Sequence, residues 1–158
     1  MDPIISHFDQ RFVLIDSRSR DLLAKLDEEL LYQRPRQLAN SMAPFSCGEY
    51  ILRSAAMVEK TFGGITTRLW DDPFEWTLPE KLNNIARIVD YLDEVEVTRR
   101  KGFAFFTSDD DLNREIPSPE KLRPIAEILL DTIGTAEHFQ GRAFAIFQMI
   151  SDTPLPRV

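Results

Sequence analysis

Residues with distinctive chemistry are scarce in this chain. It holds one cysteine and two histidines in 158 residues. A lone Cys47 cannot close an internal disulfide, so the thiol content does not point to an oxidising compartment. Zinc or nickel needs three convergent N, O or S donors, and His7 and His138 lie far apart, with no pair of histidines at helical spacing. A di-iron bundle site needs Glu-x-x-His on two helices; Glu137 and His138 are instead adjacent and point about 100 degrees apart on a helix. No run of about 18 apolar residues is present, so no membrane-spanning helix is expected. The first residues, from Met1 to His7, lack the positive start and apolar stretch of a signal peptide, and a cytoplasmic location follows as the expectation. Basic charge is also in deficit. The net charge is -7, and such a chain is ill suited to displacing phosphate counterions, so no nucleic-acid partner is expected. The densest basic run, Arg99-Arg100-Lys101, reads as a solvated helix end before it reads as a phosphate site.

What is present is ordinary globular material, 43% hydrophobic and 28% charged, enough for one domain over 1–158. Phe8, Phe12, Ile15, Leu22, Leu26 and Leu30 recur at the three-to-four spacing of a helical face, with Ser19 in the gap. That helix should end before Pro35, because proline disfavours helical backbone at the preceding residue. Ser46 and Glu49 form a capping box, and Ile51, Ala55, Val58 and Phe62 follow as a stripe. Gly63-Gly64 is expected to end this helix by left-handed backbone. Thr77 is read as the cap of a third helix with Pro79 in its first turn, and Ser118-Pro119-Glu120 as the start of a fourth. Gly134 and Gly141 interrupt the fourth stripe, allowing either close helix contact or a bend. These signals predict helices over about 9–33, 46–63, 79–105 and 119–151, negligible strand, and an all-α four-helix bundle.

Two segments carry a resemblance to a known family. They are Ser46-Cys47-Gly48-Glu49-Tyr50-Ile51-Leu52-Arg53 and Thr135-Ala136-Glu137-His138-Phe139-Gln140-Gly141-Arg142. Both resemble the metal-bearing segments of the DinB/YfiT-like superfamily, and the resemblance extends over roughly Leu22 to Ile150. It implies an up-down-down-up bundle with a long link between the second and third helices, and a homodimer. In that family a histidine usually stands seven residues after the opening Ser or Thr, and two more stand four apart in the second segment. Here those positions hold Arg53, Thr135 and Phe139, so the resemblance implies a bundle without the family's metal centre. A guanidinium repels a cation and does not lose its proton. Arg53 is therefore read either as a structural ion pair with Asp93, Glu94 or Glu137, or as a grip for a small anionic ligand. No cofactor is expected. The leading expectation is a small-ligand or protein-binding module. The alternative is a metal-dependent thiol transferase or isomerase with a rearranged site, built from His138, Asp131 and Glu49 or Glu59.

Other features have two readings each. Cys47, in the first turn of the second helix, is a nucleophile activated by the helix dipole or a small filler beside the cap. The Trp70–Trp76 segment is a lid or partner surface, or a strap packed on the bundle end. Asp109-Asp110-Asp111 looks like a calcium loop, but the sixth and twelfth places hold Arg114 and Glu120, and the sixth should be glycine. Expected lengths of about 27 and 33 residues for the third and fourth helices, with Phe144, Ile146 and Ile150 widening the apolar surface, predict a two-fold dimer through helix faces.

Overall fold

The computed structural model describes residues 2–35, 45–73 and 80–157. Four helices form the bundle: α1 (Pro3–Leu23), α2 (Cys47–Thr67), α3 (Ile85–Phe103) and α4 (Ile125–Ile150). A two-stranded antiparallel ribbon, β1 (Glu115–Pro117) and β2 (Leu122–Pro124), precedes α4.

The first helix starts and stops earlier than its apolar stripe suggests. Pro3 sits in the first turn, where its missing N–H costs nothing. The free donors of that turn are met from the far end of the chain. Asp109 accepts from the Ile4 and Ile5 N–H groups at 3.1 and 2.9 Å, while its own N–H donates to Asp2 at 3.1 Å. At the other end, tertiary contacts take over from the stripe. Glu28 accepts the Ile85 N–H at 3.1 Å and so caps α3. Leu31, fully buried, accepts the Gly48 N–H at 2.9 Å through its carbonyl. A helix running to residue 33 could not place both groups there.

The capping box of α2 forms as expected. Ser46 Oγ accepts from the Glu49 N–H at 3.2 Å, and Glu49 accepts the Ser46 N–H at 2.7 Å. The Gly63-Gly64 pair does not end the helix. The turn lies at Arg68, with φ of 63°. Gly64 serves packing instead: a Cβ there would fall 2.6 Å from Cε2 of Trp70 and closer to other ring atoms. Trp70 therefore lies on the end of α2, and its Nε1 donates to the Pro117 carbonyl at 2.9 Å. This is the strap reading of that segment; Trp76 lies outside the described residues.

The third helix begins six residues later than expected. Asn84 is its cap, accepting the Arg87 N–H at 2.9 Å; Thr77 and Pro79 lie outside the described residues. Ser118-Pro119-Glu120 starts no helix. It is the turn of the ribbon, closed by Ser118 N–H to the Lys121 carbonyl at 2.9 Å. Arg123 precedes a proline and stays extended, so α4 begins only at Ile125. The acidic triplet is structural. Asp109 caps α1, and Asp111 accepts from Thr107 and Ser108 around its own turn, bonds that hold its carboxyl below the usual range.

Residue pairs order the helix directions. Tyr50 meets Phe139, Ser54 meets Ala136 and Thr61 meets Thr132, so α2 runs against α4. Arg99 pairs with Asp9 and Arg20 with Asp93, so α3 runs against α1. Arg11 pairs with Glu137, and Gln140 bonds Ile15 and Ser19, so α4 runs with α1. The core is aromatic at one end: Phe12 and Phe103 lie 5.2 and 5.0 Å from Phe62. Phe106 joins them, but Phe105 is 55% exposed. Arg99 is no solvated helix end; it is 5% exposed, and its burial pushes its pKa down while Asp9 pairs with it.

The residues read as a dimer surface pack partly against the core. Ile146 is buried, Phe144 and Ile150 are half-buried against it, and α3 and α4 span 19 and 26 residues, shorter than expected.

Candidate functional site

The seam between α2 and α4 gathers the positions singled out in the sequence. Ser54 Oγ donates to the Ala136 carbonyl at 2.8 Å. Thr132 spends its proton on the Ile128 carbonyl, so Thr61 donates to Thr132 across 2.7 Å. Arg53 and Thr135 each stand one residue before the Ser54–Ala136 bond. Arg53, Met57 and Lys60 then share one face of α2, and Thr135, Phe139 and Arg142 one face of α4, at the three-to-four spacing that makes helix neighbours.

At the upper end the seam is built of rings and guanidinium groups. The Arg53 guanidinium carbon lies 3.9 Å from the centre of the Phe45 ring. Phe45 meets Tyr50 edge-on at 5.6 Å, and Tyr50 stacks on Phe139 at 6.3 Å. Arg142 sits 5.8 Å from the Tyr50 ring and donates to its hydroxyl at 3.3 Å. A guanidinium over a ring face is attracted by the ring quadrupole, at about 0.5–1 kcal/mol in exposed settings and more when desolvated. Phe45 precedes the Ser46 cap and Tyr50 is the fourth helical residue, so the two form a hydrophobic staple. That spacing was present in the sequence and would have flagged both rings.

At the lower end lies a pocket of about 180 Å³, with Met57, Thr61, Trp70, Thr132 and Thr135 in its lining. Its cations are balanced within the protein: Lys60 pairs with Asp72 at 2.7 Å, and Arg123 with Glu127 and Asp131. Thr135 thus lines the lower pocket, while Arg53 and Phe139 belong to the upper cluster.

The donors of a rearranged metal site are placed apart. Glu49 is held by Ser46 and by Arg34 at 2.7 Å. Burial works to raise its pKa, but those bonds outweigh it and hold the carboxyl below the usual range. Glu59 accepts from the Tyr91 hydroxyl at 2.5 Å, Asp131 belongs to Arg123, and His138 is exposed beside Phe139. Among the described residues no three His, Cys, Asp or Glu side chains are grouped to hold a metal. Cys47 is fully buried, and burial pushes its thiol up to about 12, which leaves it neutral and makes it the filler beside the cap. No helix among the described residues is long and apolar enough to cross a membrane. No protein-family model, no curated protein and no solved structure matches this chain.

Proposed function

We propose that this chain is a DinB/YfiT-like bundle whose metal-bearing face has become a binding groove for a small anionic ligand with a planar or aromatic part. The observation that carries the reading is Arg53, at the position of a family histidine, lying over Phe45 beside the Tyr50–Phe139 stack. The half-buried Phe45 and Phe139 rings offer a stacking surface to a planar group, and Arg53 and Arg142 offer positive charge at its edge. The lower pocket, under Trp70, accepts the remainder of the ligand among threonine hydroxyls. The helix directions support the resemblance, because α2 runs against α4 and α4 runs with α1, as in an up-down-down-up bundle. The reading is of a binding module, and no bond-making step is assigned to it.

Its test is a titration with benzoate and phenyl phosphate, followed by tryptophan fluorescence, since Trp70 borders the pocket. Saturable quenching that weakens about tenfold in Arg53→Gln, a change worth about 1.4 kcal/mol, supports the reading. Equal affinity in the variant refutes it. The same sample, purified without affinity-tag metals, is analysed for zinc and nickel; near one equivalent would favour the thiol-transferase reading.

A further inference from the structure

Three buried polar atoms among the described residues lack a hydrogen bond: Nε of Arg18, Nη2 of Arg20 and Oε1 of Glu137. Such atoms are rare in folded proteins, and each calls for an explanation. The Arg20 charge is balanced by Asp16 and Asp93, at 2.7 and 2.8 Å. Glu137 faces Arg11 in an ion pair. Arg18 is different: it is half-buried, and no carboxylate among the described residues pairs with it.

Arg11, Arg18 and Glu137 border one groove of about 350 Å³ between α1 and α4, within the size range of small-molecule sites. Gln140 lines it as well. It is 4% exposed, and its Nε2 donates to the Ile15 carbonyl at 2.6 Å and to Ser19 Oγ at 2.8 Å. Both amide protons are thereby used, on residues that flank Arg18 in α1. The Gln140 carbonyl oxygen is left without a hydrogen bond among the described residues. Gly141 forms the groove floor. A Cβ there would meet nothing within 4 Å, whereas at Gly48, Gly64 and Gly102 it would strike a neighbour. A mid-helix glycine costs stability against alanine, and no packing neighbour requires this one; what it preserves is the open groove. Phe144, three residues on, supplies an apolar wall. Gly134 is equally open, and nothing in the structure explains it.

We infer that this groove is a second site, separate from the α2/α4 seam, for a zwitterionic α-amino acid with an apolar side chain. Its carboxylate pairs with Arg18. Its ammonium, adjacent to the carboxylate by construction, donates to the Gln140 carbonyl. Its side chain lies over Gly141 against Phe144.

Isothermal calorimetry with three probes that share one branched tail tests the assignment: leucine, 4-methylpentanoate and isoamylamine. Leucine binds at one site, 4-methylpentanoate at least tenfold more weakly, and the amine without saturable heat. Arg18→Gln weakens leucine at least tenfold. Gly141→Leu fills the groove at an exposed helical position, so it raises the melting temperature while abolishing leucine binding, and that loss is not attributable to misfolding. Equal affinity for leucine and 4-methylpentanoate, absence of saturable leucine binding, or wild-type affinity in Gly141→Leu would overturn the inference.

Discussion

The same substitution at two helical glycines should change stability in opposite directions, and Gly102→Ala is the sharper half of the pair. A Cβ on Gly102 would stand 3.0 Å from Cγ and 3.2 Å from Cβ of Phe62, and closer still to Cδ1. Carbon atoms rest at about 3.5–4.0 Å, so Phe62 must move by a substantial part of an ångström. It has little room, being fully buried with Phe12 and Phe103 rings 5.2 and 5.0 Å away. Overpacking of this kind costs about 1–3 kcal/mol, while replacing glycine by alanine in a helix recovers about 1 kcal/mol. The balance is a net loss of up to about 2 kcal/mol, or a fall in Tm of up to about 8 °C for a chain of this size. At Gly141 the Cβ meets nothing, so Gly141→Ala keeps the propensity gain and stabilises by up to about 1 kcal/mol. Urea unfolding followed by circular dichroism at 222 nm reads both variants. Phe62→Leu should relieve part of the Gly102→Ala penalty, giving non-additivity of at least about 0.5 kcal/mol in a double-mutant cycle. Stabilisation by Gly102→Ala comparable to that by Gly141→Ala would refute the packing argument.

Asp109→Ala removes the acceptor of two α1 donors and should cost about 1 kcal/mol, although Asp109 lies more than a hundred residues from the Ile4 and Ile5 N–H groups; thermal unfolding unchanged from wild type would contradict the cap. Glu49→Gln should destabilise by about 1 kcal/mol at neutral pH by weakening the capping box and the Arg34 pair. Because the folded Glu49 pKa is lowered, its contribution is present above the ordinary glutamate value of about 4.3 and is lost as the pH falls through the folded value. The gap between variant and wild type should therefore close in acid, and a gap that widens there would show that another group is responsible. Cys47, buried and with its thiol pushed up to about 12, should react with an aromatic disulfide reagent only as fast as the protein unfolds; complete labelling of the native protein within seconds at pH 8 would contradict its burial.

The reach of the sequence can be judged element by element. The Ser46–Glu49 box was legible because its partners are three residues apart and bond each other and the local backbone. The end of α1 was not, because the Leu22–Leu26–Leu30 stripe continues past Leu23 while Glu28 and Leu31 are drawn off to cap α3 and meet α2. Gly63-Gly64 has the local signature of a terminus, but what placed glycine at 64 was an indole six residues on. The ribbon at 115–124 is too short to leave an alternation, and its turn looks like a helix start because Ser-Pro-Glu suits both. At the candidate site, Arg53 and Phe139 were marked by their place in the two segments. Arg142 joins them through its ring contact and hydrogen bond to Tyr50, which only the packing of α4 on α2 brings about. Arg18 carries no sequence signal at all, since what distinguishes it is the lack of a carboxylate partner among the described residues.

The measurement that bears most directly on the account is calorimetric titration of phenyl phosphate into metal-free protein, in wild type and in Arg53→Gln. The account predicts a single saturable site in the wild type and a loss of affinity of at least about tenfold in the variant, equivalent to about 1.4 kcal/mol. Identical isotherms for the two proteins, or no binding until zinc is added, would contradict it.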